Sequence, residues 1–446
     1  MGDFSSHKAS TLFKGLEEFD AIAVAVSGGS DSLALLYLLS DWAHSSAKKL
    51  CVLTVDHQLR TGSKDEVAYV GALCKRLDIP HHALKWCDDK PQTGIPGAAR
   101  EARYELMAAH CSTNNIQALV LGHTRNDQAE TVLMRLKREA AHNRGLSAMA
   151  EKTLFSPTPG SHVMLCRPLL GVSREDLQSH LVQNNIEWVD DPTNMDEKYE
   201  RVRVRAQLSD ESNYSKQLID YARLHGRSRQ LTASRVAAFI DHHVRVSAFD
   251  CVSIERGALD AHPVAVSGLI LQVLFSVVGG RDHLPPLAKV AEDLKRKEPS
   301  TLARVQLNRT KTHLILHREA RNLPASCQLG ADWILWDKRY WLLADDEMGG
   351  LLDVSSGQDC LAKSDEKSGL SGVDASALTS KFDKRALAAM PFGRICGKKN
   401  QERDFILTSK SAAKDVKVSR ALGAFDRYCT QFDFPIRQAL ERLFTV

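Results

Sequence analysis

None of the ten cysteines in this 446-residue chain stands in a Cys-x-x-Cys pair. That spacing excludes a zinc ribbon and an iron–sulfur cradle, and cysteines scattered singly through a long chain point to a reducing, cytoplasmic setting. The first twenty residues, MGDFSSHKASTLFKGLEEFD, are polar and carry acids, without the basic-then-apolar order of a secretory leader. The longest uncharged run, 263–280, is broken by two serines and a glutamine. It reads as a buried helix rather than a membrane span, and no membrane association is expected. Internal repeats and coiled-coil heptads are absent. The excess of positive charge is small, +4 from 59 Lys/Arg against 55 Asp/Glu, which permits a polyanionic partner without demanding one.

What is present is a regular alternation over the first ~210 residues. Short apolar runs at 21–27, 51–56, 118–123 and 163–169 read as strands. Helical patterns fall between them at 31–44, 64–78, 97–112 and 125–138, the last with Ala129, Val132, Leu133 and Leu136 on one face. Such alternation predicts an α/β fold, a Rossmann-like parallel sheet covered on both sides, with ligands beyond the carboxyl ends of its strands. Arginine-rich helices follow, with nine Lys/Arg against four acids over 201–245. Two strands are expected over 304–319 and a hairpin over 332–347, turning at Asp337-Lys338 or Lys338-Arg339. A Ser/Gly-rich loop is expected over 355–372. Residues 381–420 carry eleven Lys/Arg against four acids. The expected domains are 1–209, a mainly helical 210–322 and a small mixed α+β 323–446.

The first strand leaves through Ser27-Gly28-Gly29-Ser30-Asp31-Ser32. Glycines let backbone N–H groups approach an anion, and the helix that follows points its positive end at the same place. Ser27 and Ser32 add hydroxyl donors. Yet the Walker spacing and its lysine are missing. Asp31 would repel phosphate unless Mg²⁺ lay between them, so the loop suits a metal-chelated pyrophosphate about to depart. Further along, Asp127 and Glu130 are three residues apart in HTRNDQAET and share a helix face. They offer metal ligands or a proton acceptor, or simply complement the helix dipole. Arg100 and Arg103 in AAREARY are forks for phosphate oxygens or a solvated helix face. In WVDDPTN, Asp191-Pro192 reads as a turn.

SGGSDS resembles the signature of the PP-loop ATP pyrophosphatases. The segments VDHQLRTGSKDEV (55–67), PGAAREARYELM (96–107), GHTRNDQAETVLMRL (122–136), RPLL (167–170) and WVDDPTNMDEKYERVRVRAQL (188–208) follow in register. Together they resemble the tRNA(Ile)-lysidine synthetase family. The resemblance implies ATP and Mg²⁺ as cofactors, and tRNA(Ile) with a CAU anticodon and free L-lysine as substrates. It implies nucleotide binding by Ser27, Gly28, Gly29, Ser30, Asp31, Ser32, Asp56, Arg100 and His123. Catalysis falls to Asp31, Asp127 and Glu130, metal binding to Asp31 and Asp127, and substrate binding to Asp190, Asn194, Arg201 and Arg205. The basic C-terminal regions would contact the tRNA backbone, and a homodimer is left open. The chain departs from the family at Asn126, where a second acid is usual, and at KREAAHNRGLSAM (137–149), which keeps little of the glycine-rich loop linked to lysine. Three alternatives remain: a tRNA thiolase of the same superfamily, a small-molecule ligase, and a non-catalytic RNA-binding protein.

Overall fold

The computed structural model describes residues 6–59, 62–138, 144–189, 198, 200–209, 212–247, 249–344, 352–356, 385–396, 402–406 and 416–445. The chain divides into two compact units, 1–230 with 430–432, and 231–429 with 433–446.

The first unit alternates helix and strand from its beginning. Its elements are α1 (Ser6–Phe13), β1 (Ala21–Ala25), α2 (Ser30–Ser45), β2 (Lys49–Asp56), α3 (Ser63–Arg76), β3 (His81–Lys85), α4 (Ile95–Thr113), β4 (Ala118–Val120) and α5 (Arg125–Lys137). Then come β5 (Lys152–Thr158), β6 (Ser161–Cys166), α6 (Arg174–Gln183), α7 (Glu200–Ser209) and α8 (Ser212–His243), which contains the boundary between the units. Within this unit the strand order is β5-β6-β4-β1-β2-β3. β1 lies centrally, parallel to β2 through Ala23↔Cys51 and to β4 through Ala23↔Leu119. β3 and β6 extend the parallel run, and β5 pairs antiparallel with β6. Ile22, Ala23 and Val24 are buried because helices cover both faces of the sheet, the condition that favours small and β-branched residues. The core joins Val24, Val52 and Val120 to Leu33, Leu36 and Leu39 of α2.

Four expected strands and four expected helices form within a few residues of their anticipated bounds, and β3 and β5 add to them. β4 stops at Val120, so Leu121–His123 leave the sheet rather than extending it. On α5, Ala129, Val132 and Leu133 pack against Val204, Leu208 and Leu218, whereas Leu136 is exposed.

The second unit follows a different plan. α9 (Arg256–Asp260), α10 (Val264–Gly279) and α11 (Leu287–Lys295) accompany an antiparallel sheet. Its strands are β7 (Val244–Val246), β8 (Val252–Glu255), β9 (Ser300–Leu302), β10 (Val305–Arg309) and β11 (His313–Arg318), in the order β7-β8-β11-β10-β9. β12 (Cys327–Leu329), β15 (Leu352–Ser356), β16 (Pro391–Cys396) and β17 (Glu402–Ile406) form a second antiparallel sheet. β13 (Ile334–Trp336), β14 (Tyr340–Ala344) and β18 (Val416–Arg420) form a third, and a helix over Phe434–Thr445 closes the chain. The uncharged run at 263–280 is the buried α10, and among the described residues no helix is long and apolar enough to cross a membrane.

The expected hairpin turns at Asp337-Lys338. Both residues have positive φ, +51° and +57°, and Arg339 N–H donates to Trp336 O at 3.0 Å. That is the primed turn whose twist matches its strands. Asp337 tolerates the conformation because its buried carboxylate is held by Arg318, Arg339 and Arg304. Ser355 and Ser356 of the expected loop close β15, and the rest of 355–372 lies outside the described residues.

Candidate active site

The site forms where β1 ends. Gly28 adopts φ +89°, a conformation costly for any side chain, and Gly29 turns the chain into α2. Ser32 in the first helical turn donates its hydroxyl to Gly29 O at 2.9 Å and accepts from Ser27 N–H at 3.2 Å. The loop is thereby locked by its own hydroxyl. The carbonyl of Gly28 accepts from Val189 N–H at 3.0 Å, which ties the loop to the residue just before segment 190–197. Gly122, past β4, lies against the same turn. A Cβ there would meet Asp31 O and Ser32 Cα at 3.2 Å, so any side chain would press the loop backbone aside by a few tenths of an ångström.

Beside the loop, three carboxylates meet three guanidiniums. Arg174 at the start of α6 donates Nε to Asp31 Oδ2 at 3.0 Å, and its other nitrogens stand 3.5 Å from Asp127 and 3.9 Å from Glu130. From α7, Arg201 pairs with Asp127 Oδ1 at 2.6 Å and Glu130 Oε2 at 2.5 Å, and Arg205 with Glu130 Oε1 at 2.8 Å. Asp127 also closes a capping box: its Oδ2 accepts from Thr124 N–H at 2.7 Å and Thr124 Oγ1 at 2.9 Å. The helix-terminus reading therefore holds for Asp127, which caps the helix with one oxygen and faces the arginine cations with the other, while Glu130 lies a turn further on.

Burial raises Asp31 above the usual carboxylate range, more than Arg174 lowers it. At Asp127 burial acts in the same direction, but Arg201, the Thr124 N–H and Arg174 outweigh it and the carboxyl lies below the ordinary value. The guanidiniums of Arg174 and Arg201 are held more firmly protonated than usual, their burial being outweighed by these acids. Among the described residues no three His, Cys, Asp or Glu side chains gather as a metal cluster. The protein offers a pair, Asp31 and Asp127, linked through Arg174.

The comparisons with known proteins bear on this arrangement. The PP-loop domain family ATP_bind_3 matches residues 4–212. The tRNA(Ile)-lysidine synthase of Mesorhizobium japonicum is 38% identical over 79% of this chain and 79% of its own length. That of Rhizobium meliloti is 36% identical over 72% of each chain. The chain belongs to the tRNA(Ile)-lysidine synthase family. It is accordingly an enzyme of the ligase type that carries an ATP-using PP-loop domain. Among solved structures, the U34-tRNA thiolase NcsA of Methanococcus maripaludis aligns with a TM-score of 0.41 at 17% identity, over 49% of this chain and 77% of that one. A likeness at that level adds nothing to the assignment.

With the tRNA(Ile)-lysidine synthase family established, the expected site residues sort into groups. Asp31 of the Ser27–Ser32 loop, Asp127 and Glu130 come together around Arg174, and Arg201 and Arg205 join through Asp127 and Glu130. His123 follows β4; burial and then Arg167 push its imidazole down to about 3, so it is neutral at physiological pH. Arg100 is exposed and stacks over Tyr104, 5.0 Å from the ring centroid. Asp56 is turned inward instead: Oδ1 accepts from Ser63 Oγ at 2.7 Å and Gln58 N–H at 2.9 Å, hydrogen bonds that hold its carboxyl below the ordinary range. Asp190 and Asn194 lie outside the described residues. Sequence reasoning passed over Arg174. Its local signal, Ser173 capping Asp176 N–H at 3.1 Å, announces only a helix start. Its backbone N–H is held by Asn126 Oδ1 at 3.0 Å, which gives the unusual Asn126 a positioning task.

Proposed function

We propose that this enzyme joins free L-lysine to carbon 2 of the wobble cytidine of tRNA(Ile) with a CAU anticodon, using ATP and releasing AMP and pyrophosphate. The observation that carries the reading is the pair Asp127 and Glu130, buried beside the PP loop and already gripping the cations of Arg201 and Arg205. Carboxylates that hold guanidiniums at 2.5–2.8 Å are equally suited to an ammonium group.

In the first step, the cytidine O2 attacks the α-phosphate of ATP and pyrophosphate departs. Backbone N–H groups of the Ser27–Ser32 loop and the amino end of α2 receive its charge, a preorganised electrostatic contribution of several kcal/mol. Asp31 and Asp127 would hold Mg²⁺, which takes one or two carboxylates plus phosphate oxygens and neutralises the leaving group. In the second step, the ε-amine attacks carbon 2 and AMP leaves. Free lysine has a pKa of about 10.4 and is not a nucleophile until deprotonated. Glu130 or Asp127 Oδ1, exchanging an arginine partner for the substrate, binds the ammonium and then accepts its proton. Asp190, Asn194, Arg201 and Arg205 are assigned to the RNA side of the pocket, and the basic segments 201–245 and 381–420 to the tRNA backbone.

The test uses radiolabelled lysine, ATP with Mg²⁺, and tRNA(Ile) with a CAU anticodon. Acid-insoluble label with stoichiometric AMP is expected; release of ADP, or no label in RNA, refutes the reading.

A further inference from the structure

His123 follows Gly122, which lies against the loop, and it belongs with cations of a different kind. Arg167, just past β6, is 7% exposed; its Nη1 donates to Ala150 O and Thr153 Oγ1, both at 3.0 Å, while its Nε has no hydrogen-bond partner. Arg103 Nε and His123 Nδ1 are buried and likewise without a hydrogen-bond partner. The guanidiniums of Arg100 and Arg103 lie 5.0 and 5.4 Å from the Tyr104 ring centroid.

What sets this group apart is its counter-ions. Arg174, Arg201 and Arg205 meet three carboxylates. Among the described residues, no carboxylate is a principal electrostatic influence on Arg103 or Arg167, and the acid that acts on His123 is Asp127 of the neighbouring cluster. A buried cation without an opposite charge costs several kcal/mol, so the missing charge belongs to something that binds. Guanidinium forks with a phenolic hydroxyl and a neutral imidazole suit phosphate oxygens.

We propose that Arg103, Arg167, Tyr104 and His123 form a phosphate subsite beside the PP loop. Arg167 follows β6, and His123 follows β4 one residue past Gly122, whose backbone abuts Asp31; Arg103 and Tyr104 come from α4. The resemblance to known enzymes placed Arg100 and His123 of this region near nucleotide; the roles of Arg103, Arg167 and Tyr104 are new. The inference rests on the proposed function for the source of the phosphate, which is either a phosphate of ATP or the phosphodiester next to the target base.

The first arm reads the subsite alone. Inorganic phosphate is titrated at constant ionic strength while the melting temperature is followed, for the parent, R103Q, Y104F and R167Q. The parent is stabilised, and R103Q weakens the apparent phosphate affinity at least about fivefold, because one of two converging guanidiniums is gone. R167Q also loses the contacts to Ala150 and Thr153, so R103Q carries the decision if R167Q fails to fold. An unchanged phosphate affinity in folded R103Q overturns the proposal, since the PP loop then accounts for all the binding.

The second arm assigns the source by equilibrium binding of ATP and of tRNA to R103Q. About tenfold weaker ATP with tRNA unaltered assigns the nucleotide. Weaker tRNA, with a salt slope reduced by about one, assigns the phosphodiester. A parent protein whose phosphate binding needs Arg103 but which incorporates no lysine would refute the proposed function and leave the subsite standing.

Discussion

Arg174→Gln removes one charge from a cluster of three acids and three arginines, leaving it one negative charge in excess. Arg174 stands 3.0 Å from Asp31, 3.5 Å from Asp127 and 3.9 Å from Glu130. At an effective dielectric of about 20, each such pair is worth roughly 4–5.5 kcal/mol before desolvation is subtracted. Desolvation cancels most of that, and removing one partner from a buried ion pair costs about 3–5 kcal/mol. The side chains of Arg174 and Asp31 are 19% and 20% exposed, so the lower end applies, about 3 kcal/mol. In a unit of this size about 2–4 °C is lost per kcal/mol, a fall of roughly 6–12 °C in the melting temperature. The measurement is a thermal melt in low and high salt, paired with lysine incorporation. The loss should persist in salt, because a pair this enclosed is weakly screened. Turnover should fall at least about tenfold, since the two arginines left near the cluster pair with Asp127 and Glu130 and not with Asp31. Arg174→Lys keeps the charge but not the fork and should fall between the two. If Arg174→Gln melts within about 1 °C of the parent and keeps its turnover, the bridge contributes neither stability nor alignment.

Asp31→Asn and Asp127→Asn are each expected to lower lysine incorporation by about 10²-fold or more with circular dichroism unchanged, and parental turnover in either would contradict the roles assigned to them. Gly122→Ala pushes a methyl group against the backbone of Asp31 and Ser32, so it should cost about 1–3 kcal/mol and reduce turnover; chemical denaturation with a steady-state assay reads both. Asp337→Asn leaves Arg318 and Arg339 buried without their shared carboxylate and should destabilise the second unit by about 3–5 kcal/mol at neutral pH. Burial opposes ionisation of Asp337, but Arg339, Arg318 and Arg304 outweigh it, so its folded pKa lies below the unfolded value of about 3.9. The stabilisation is therefore complete above that value and lost as pH falls through the depressed one, so melts of parent and variant should converge only in strong acid.

The parallel sheet was legible because β1, β2, β4 and β6 are short apolar runs with helices between them. β3 was not. Its sequence, HHALK, has no apolar run, and as an end strand it leaves His82 and Ala83 exposed. β5 was missed because it enters antiparallel, outside the strand–helix alternation that guided the reading. At the site, the loop and the Asp127–Glu130 pair stand out because each is contiguous. Arg174 is invisible in sequence, since its partner Asp31 lies 143 residues away and only folding joins them. Arg167 lay in plain view within RPLL, but its burial, with no acid among the described residues as a principal influence on it, is a fact of packing.

The cap that starts α5 also limits what Asp127 can do. With Oδ2 occupied by two donors from Thr124, this side chain cannot rotate without unravelling the first turn of its helix. The other oxygen, which meets Arg201, is thus presented in one orientation, with the entropic penalty of immobilising it already met when the helix folds. A metal or amine that replaces Arg201 there meets one oxygen at a fixed bearing, and chelation by both oxygens would first have to break the cap, at a cost of about 1 kcal/mol.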